Sequence, residues 1–230
     1  MVRIHVVSKE NASQYADELQ TYFRLRHLIY VEERGWHDLR REDGLERDQF
    51  DNDDAVHLLA IKDHEVVGGS RMIRMSHPTL LSEVFPRLVQ RGELPRDHSS
   101  MEWTRMFVAP AHRTGHGSRS VAGALLCGGM EYCLAVNARQ VGGVMDTFWL
   151  PLWQRFGWKT RHLGLPEEIS GSMTLAAFWD VDQKALDGAR AITGWDESVL
   201  VWRKEHLARR YRRPMSVPEP TFTPVDHHEL

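Results

Sequence analysis

The fold turns on one stretch, AVHLLAIKDHEVVGGSRMIRM, residues 55–75. Ala55 to Lys62 and Glu65 to Met75 read as two β runs, with a tight turn at Asp63-His64 between them. Strands joined by two residues pair antiparallel. Outward from this hairpin the pattern alternates. Downstream, Thr79 to Phe85 reads as a short helix, Met101 to Val108 (MEWTRMFV) as a strand, and Gly117 to Asn137 as a long helix rich in small residues. Gln140 to Thr147, Trp158 to Leu163 and Ser172 to Trp179 read as strands, Pro151 to Phe156 as a short helix, and one or two helices run from Asp182 to about Ala208. Upstream, Val2 to Val7 is a strand. Asn11 with Gln14 forms a capping box opening a helix that carries Tyr15, Leu19, Tyr22, Phe23, Arg26 and Tyr30. An antiparallel hairpin inside a β–α alternation gives an α/β fold, its mixed sheet covered by helices on both faces.

Length and composition bound the rest. The chain has 230 residues, which fits one domain over residues 1–210, followed by a Pro-rich, mobile tail at 211–230. Hydrophobic residues at 42% and charged residues at 27% describe a folded chain rather than a disordered one. No apolar run approaches the ~18–20 residues that a membrane span needs. Met1 to Ser8 is too short and too charged for a signal peptide, so the expected location is the cytoplasm. A formal net charge of −3 argues against general affinity for nucleic acid. The histidines show no metal-ligand spacing, and neither Cys127 nor Cys133 has a nearby histidine to make it a nucleophile.

The informative feature is where charge sits. From Glu32 to Asp54 the pattern loses all periodicity, and ten acids face four bases. Arg26 falls on a helix otherwise rich in apolar residues. Arg71 and Arg74 interrupt one β run, and Glu102 with Arg105 interrupt another. Singly, each is explained by an ion pair at a sheet edge. Together they describe a polar cleft built on a rigid sheet.

Arg26, Tyr30, Val31-Glu32, Gly35-Trp36, Glu46, Asp48, Phe50-Asp51, Gly68, Arg71, Glu102 and Arg105 resemble the motif set of the LuxI-type acyl-homoserine-lactone synthases, the autoinducer synthases. The resemblance runs from about Phe23 to Val108 and continues more weakly through Gly157-Trp158 and Leu163-Gly164. It implies a fold like that of the GNAT acyltransferases, a three-layer α-β-α sandwich whose mixed central sheet splays into a cleft. The implied reaction joins an acyl thioester to the amino group of S-adenosylmethionine, then closes a lactone and releases methylthioadenosine. The product is a diffusible quorum-sensing signal. No cofactor and no metal are implied.

That chemistry explains the residue types. Trp36 can offer its indole face to the sulfonium or the adenine. Asp48 and Asp51 suit the ammonium, and Arg26 or Arg71 the carboxylate. The amine must lose a proton, which makes Glu102 the expected base; alternatively Glu102 orients Arg71 or Arg105. Arg105 would then shape the cleft. Two positions depart from the family pattern around the substrates, Tyr30 for the usual Phe and Thr104 for a common Ser. Met145-Asp146 stand where members that take 3-oxo chains carry Thr, which argues against a 3-oxo chain.

Met145 to Pro151 (MDTFWLP), with Leu163-Gly164-Leu165-Pro166, resembles a branch that uses coenzyme A thioesters of aryl or branched short acids. Phe148 and Trp149 either shorten or flatten the acyl pocket or are ordinary core rings. His112-x-x-Gly115-x-Gly117 is either a flexible turn with no ligand or, with Arg113 one place late, the counterpart of the GNAT loops that present backbone N–H groups to a pyrophosphate. The run Arg203, Lys204, Arg209, Arg210, Arg212 and Arg213 is either a solvated helix face or a dock for an acidic acyl-carrier protein or for the phosphates of coenzyme A.

Overall fold

The computed structural model describes residues 1–113 and 119–202. The glycines of the His112-x-x-Gly115-x-Gly117 motif, the basic run from Arg203 and the Pro-rich tail lie outside the described residues.

The hairpin is as read. β2 (Val56–Lys62) and β3 (Glu65–Arg74) pair antiparallel, and Asp63 and His64 both take positive φ, +50° and +69°. Two left-handed residues in a two-residue loop match the right-handed twist of the strands they join. β1 (Arg3–Val7) pairs antiparallel with β2, and β4 (Ser100–Val108) with β3. β5 (Gln140–Asp146) runs parallel to β4, and β8 (Ser172–Asp180) returns antiparallel along β5. Short strands β6 (Thr160–His162) and β7 (Glu167–Ile169) lie on β8, and β9 (Leu200–Val201) lies parallel to β1. All nine belong to one mixed sheet.

Alternation along the strands divides the core. Ile4, Val6, Leu58 and Ala60 face α3 (Val121–Ala135) and α5 (Gln183–Thr193), whereas Val7 and Leu59 face Tyr22 and Phe23 of α1 (Ala16–Arg26). Helices therefore cover both faces, giving the three-layer sandwich expected. Gly129 lets α3 lie close to the sheet. A Cβ there would stand 2.3 Å from the Trp103 ring. Gly129→Ala is expected to cost about 1–3 kcal/mol through overpacking, read as a melting temperature lowered by roughly 2–12 °C in thermal unfolding.

Two local expectations are corrected. Asn11 does not close a capping box: its Oδ1 accepts from Ser8 N and its Nδ2 donates to Val6 O, fixing the loop after β1 ahead of a 3-10 turn at Ala12–Tyr15. The capping box forms instead at Thr79 with Ser82, opening α2 (Leu80–Glu83). The helical stretch from Asp182 is interrupted within the described residues, and 203–208 lie outside them. The interruption comes at Gly194, whose φ of +73° stops α5, and the chain returns as β9.

Candidate functional site

β4 and β5 pair only from Ser100↔Gln140 to Glu102↔Gly142. Beyond that point β4 stays with β3 as far as Val108, and β5 stays with β8 as far as Asp146. The sheet thus splits into two wings. Gly143, with φ +133°, stands at the split, where a Cβ would meet Glu102 Cγ at 2.9 Å. A cavity of about 660 Å³ fills the opening.

The N-terminal wing supplies a polar, aromatic wall. α1 runs directly into a π-helical segment, His27–Glu33, and the following turn carries Trp36 onto Tyr30, their rings stacked with centroids 5.1 Å apart. Tyr30 Oη donates to Met106 O at 3.2 Å, and burial pushes its phenol up to about 12. On β4, two residues, Arg105 and Met106, oppose the single Ser70 of β3, and Arg105 takes φ +55°. This bulge turns Arg105 into the cleft, as bulges beside functional sites commonly do.

Beneath this wall lies a buried ion network. Arg26 Nε donates to Glu46 at 2.5 Å, and its two terminal nitrogens donate to Asp51 at 2.7 and 3.0 Å. Arg71 donates to Thr104 Oγ1 from Nε and reaches Asp48 at 2.5 Å and Asp51 at 3.0 Å from Nη1. Arg105 Nη2 donates to Glu46 at 3.1 Å and Asp48 at 3.0 Å. Three guanidinium groups and three carboxylates thus pair with one another, and Arg71 Nη2 alone of these guanidinium nitrogens is buried without a hydrogen-bond partner. Burial alone would raise the Glu46 and Asp51 carboxyls, but Arg105 and Arg26 beside Glu46, and Arg26 and Arg71 beside Asp51, hold both below the usual range.

The C-terminal wing supplies an indole wall. Trp149 stacks on Trp153 (5.3 Å), Trp153 on Trp158 (4.9 Å) and Trp158 on Trp179 (5.3 Å), a continuous column. Trp149, Trp153 and Trp179 face the cavity, as do Trp103 and Met145. One ion pair joins the two walls: Arg34 Nη2 donates to Asp146 Oδ2 at 2.6 Å, and Thr174 donates to Asp146 Oδ1.

Of the residues read from the sequence, Tyr30, Trp36, Asp48, Thr104, Arg105, Met145 and Trp149 line the cavity. Arg26, Asp51 and Arg71 do not reach its surface; they lie at 0–1% exposure beneath it, holding Asp48 and Arg105 in place. Glu102 is also fully buried. Its oxygens accept from Leu80 N at 3.0 Å and Leu81 N at 2.7 Å, fastening α2, and burial raises its carboxyl against the pull of these donors and Arg71. Phe148 is corrected: it is 63% exposed and off the cavity wall. Thr147–Trp149 form a single 3-10 turn, so adjacent side chains diverge by about 120°, and only Trp149 turns inward. Sequence reading missed Arg34, Trp103, Trp153 and Trp179 on the wall, and Glu46 as the hinge of the network. Arg34 carried a signal, four residues after Tyr30 on the same helical face.

Among the described residues, no helix is long and apolar enough to cross a membrane, and no three His, Cys, Asp or Glu side chains group to hold a metal ion.

Comparison with known proteins gives four findings. Residues 10–188 match the family model described as autoinducer synthase. The isovaleryl-homoserine lactone synthase of Bradyrhizobium diazoefficiens is 40% identical over 184 residues, 80% of this chain and 82% of that one. The structure of a CoA-dependent acyl-homoserine lactone synthase, BjaI, with SAM and isopentyl-CoA superimposes with a TM-score of 0.81 at 37% identity, covering 87% of this chain and 93% of that chain. In fold alone, a structure from Lactobacillus plantarum described as a "putative N-acetyltransferase" matches with a TM-score of 0.51 at 16% identity, over 79% of this chain and 99% of that one.

Proposed function

The chain belongs to the autoinducer synthase family, and from that premise we propose how its cavity works. It is an acyltransferase, an acyl-homoserine-lactone synthase that builds a quorum-sensing signal from S-adenosylmethionine and an acyl-CoA. The observation that carries the assignment of roles is the two-walled cavity at the split of β4 and β5. One wall suits a cation beside a carboxylate, the other a compact acyl group.

In this reading Tyr30 and Trp36 take the sulfonium and adenine on their ring faces, and Asp48 takes the ammonium. Thr104 and Arg105 complete that wall, and Arg26, Glu46, Asp51 and Arg71 hold it rigid. Met145 and Trp149, backed by Trp153 and Trp179, receive a short branched or flat aromatic acyl group. The amine nitrogen attacks the thioester carbon and the C–S bond breaks with its electrons on the coenzyme A sulfur, which takes one amine proton. A second proton leaves to solvent. An α-amino group has a pKa of about 7.7–8.0, so roughly a tenth or more is neutral at pH 7 without a strong base. A carboxylate oxygen of the acylated substrate then attacks the carbon γ to it, and the bond to sulfonium breaks with its pair on sulfur, releasing methylthioadenosine. The enzyme would work in the cytoplasm, where both substrates are made, with coenzyme A rather than acyl-carrier protein as the carrier.

The test is to incubate the purified protein with S-adenosylmethionine and a panel of acyl-CoA and acyl-carrier-protein thioesters. Equal amounts of lactone, methylthioadenosine and free coenzyme A are expected from compact acyl-CoA donors. Acyl transfer without methylthioadenosine would indicate a different amine acceptor, and binding without product an idle module.

A further inference from the structure

A carboxylate and an amine on one carbon must sit together, and the amine must reach the thioester. The cation that holds the substrate carboxylate therefore has to stand at the seam between the two walls. Neither arginine expected from the sequence is there. Arg26 and Arg71 are both fully buried and off the cavity wall. The nitrogens of Arg26 are turned to Glu46 and Asp51, Nε and Nη1 of Arg71 to Thr104, Asp48 and Asp51, and the unpartnered Nη2 of Arg71 is itself buried.

The guanidinium groups on the cavity wall, among the described residues, are those of Arg105 and Arg34. Arg105 is nearly buried and lies between Glu46 and Asp48, which repel a third carboxylate. Arg34 is different. Its side chain is 30% exposed, its Nη2 is bound to Asp146, and its guanidinium carbon lies 4.7 Å from the Trp36 ring centroid. It reaches from the wall of Tyr30 and Trp36 to an acid on the wall of Met145 and Trp149, which is the seam itself.

Resting on the function proposed above, we infer that Arg34 binds the carboxylate of S-adenosylmethionine and that Asp146 is its positioning residue. Asp146 is itself held by Thr174, so the guanidinium is fixed at one end and presents its other donors to the cavity. An end-on grip suits the chemistry. It leaves the second carboxylate oxygen able to form the bond to the γ carbon when the bond to sulfur breaks. The sulfonium, on the rings of Tyr30 and Trp36, and the carboxylate, on Arg34, would then be separated by the reach of the amino-acid chain.

The measurement compares wild type with Arg34→Met and Asp146→Asn, using three probes: S-adenosylmethionine, its decarboxylated analogue, and methylthioadenosine. Wild type is expected to bind S-adenosylmethionine about 10- to 100-fold more tightly than the decarboxylated analogue, the worth of a charge-assisted hydrogen bond. In Arg34→Met that preference disappears and KM for S-adenosylmethionine rises by the same factor, while affinity for methylthioadenosine and KM for acyl-CoA stay as in wild type. Asp146→Asn raises KM for S-adenosylmethionine several-fold with the preference reduced. If Arg34→Met keeps the preference, or loses affinity for all three probes equally with a lowered melting temperature, Arg34 is only a strap between the wings and the inference is overturned. Failure of wild type to make lactone from any donor would instead overturn the proposed function, so the two failures are distinct.

Discussion

Arg26→Met is expected to lower stability by about 3–5 kcal/mol, the usual result of removing one partner from a buried ion network. The deleted guanidinium answers Glu46 through Nε and Asp51 through both terminal nitrogens, and neither acid is open to water. Arg105 still faces Glu46 and Arg71 still faces Asp51, which keeps the loss from being larger. The acid limb of the stability curve provides the decisive check. Glu46 and Asp51 have folded-state pKa values held below their ordinary values. Their contribution is therefore fully present above pH ~4–4.5, the unfolded range for Asp and Glu, and is lost as pH falls through the folded values. Without Arg26 those values move back toward the unfolded ones. Urea unfolding of Arg26→Met should show lower stability at pH 7 and a flatter decline between pH 5 and 3 than wild type. An unchanged slope would mean that Arg26 does not hold these acids ionised. Activity should fall with stability, because Asp48 and Arg105 owe their positions to the same network.

Much of this was legible in the sequence, for identifiable reasons. The hairpin at Asp63-His64 and the alternation around it follow from local rules of pairing and turn chemistry, and they placed the mixed sheet. The acidic segment with Arg26, Arg71 and Arg105 was recognisable because charge at apolar positions stands out one residue at a time. Depth was not legible. Nothing in the order of residues distinguishes an arginine that faces a cavity from one that lies beneath its wall, so the sequence alone points Arg26 and Arg71 at a ligand, whereas in the fold they pair with Glu46, Asp48 and Asp51. The indole column was hidden for a related cause. Trp149, Trp153, Trp158 and Trp179 lie on a 3-10 turn, on the short helix Leu150–Arg155 (α4), just after it and on β8, and only the packing of that segment against β8 brings them together. β9 is two residues long and carries no periodicity to read; its place is set by backbone pairing with β1 across almost the whole chain.

Glu102→Ala is expected to have the second large effect, and its form separates a base from a brace. The Glu102 carboxylate accepts from the backbone of Leu80 and Leu81, and the side chain is fully buried. Alanine leaves the buried Leu81 N–H unpaired at about 1–3 kcal/mol and frees the half-buried Leu80 N–H at less than that, so stability should fall by about 2–4 kcal/mol. α2 and the residues after it carry Leu80, Val84 and Phe85 onto the cavity wall. Loosening this segment should raise KM for the acyl thioester more than it lowers turnover. Glu102→Gln keeps one oxygen acceptor but sets an amide NH₂ against the other N–H, so it should recover part of the stability and part of the affinity. The pH–rate profile is the readout that bracing alone cannot move. If the amine supplies its own neutral fraction, the rate in wild type and in Glu102→Gln should rise alike up to pH ~8, following the α-amino group. A base at Glu102 predicts another pattern: turnover down about 10²–10⁴-fold in Glu102→Gln, with melting temperature and acyl KM unchanged and the profile displaced. Buried carboxyls also differ in sign here. Glu102 has a raised folded pKa, so its contribution to stability is present in acid and declines as pH rises through that value, opposite to Glu46 and Asp51. Burial outweighs the pull of the two backbone donors and Arg71 on this carboxyl, yet its bonds to Leu80 and Leu81 fasten α2, which is why removing it should be felt first in α2 and the acyl wall it carries.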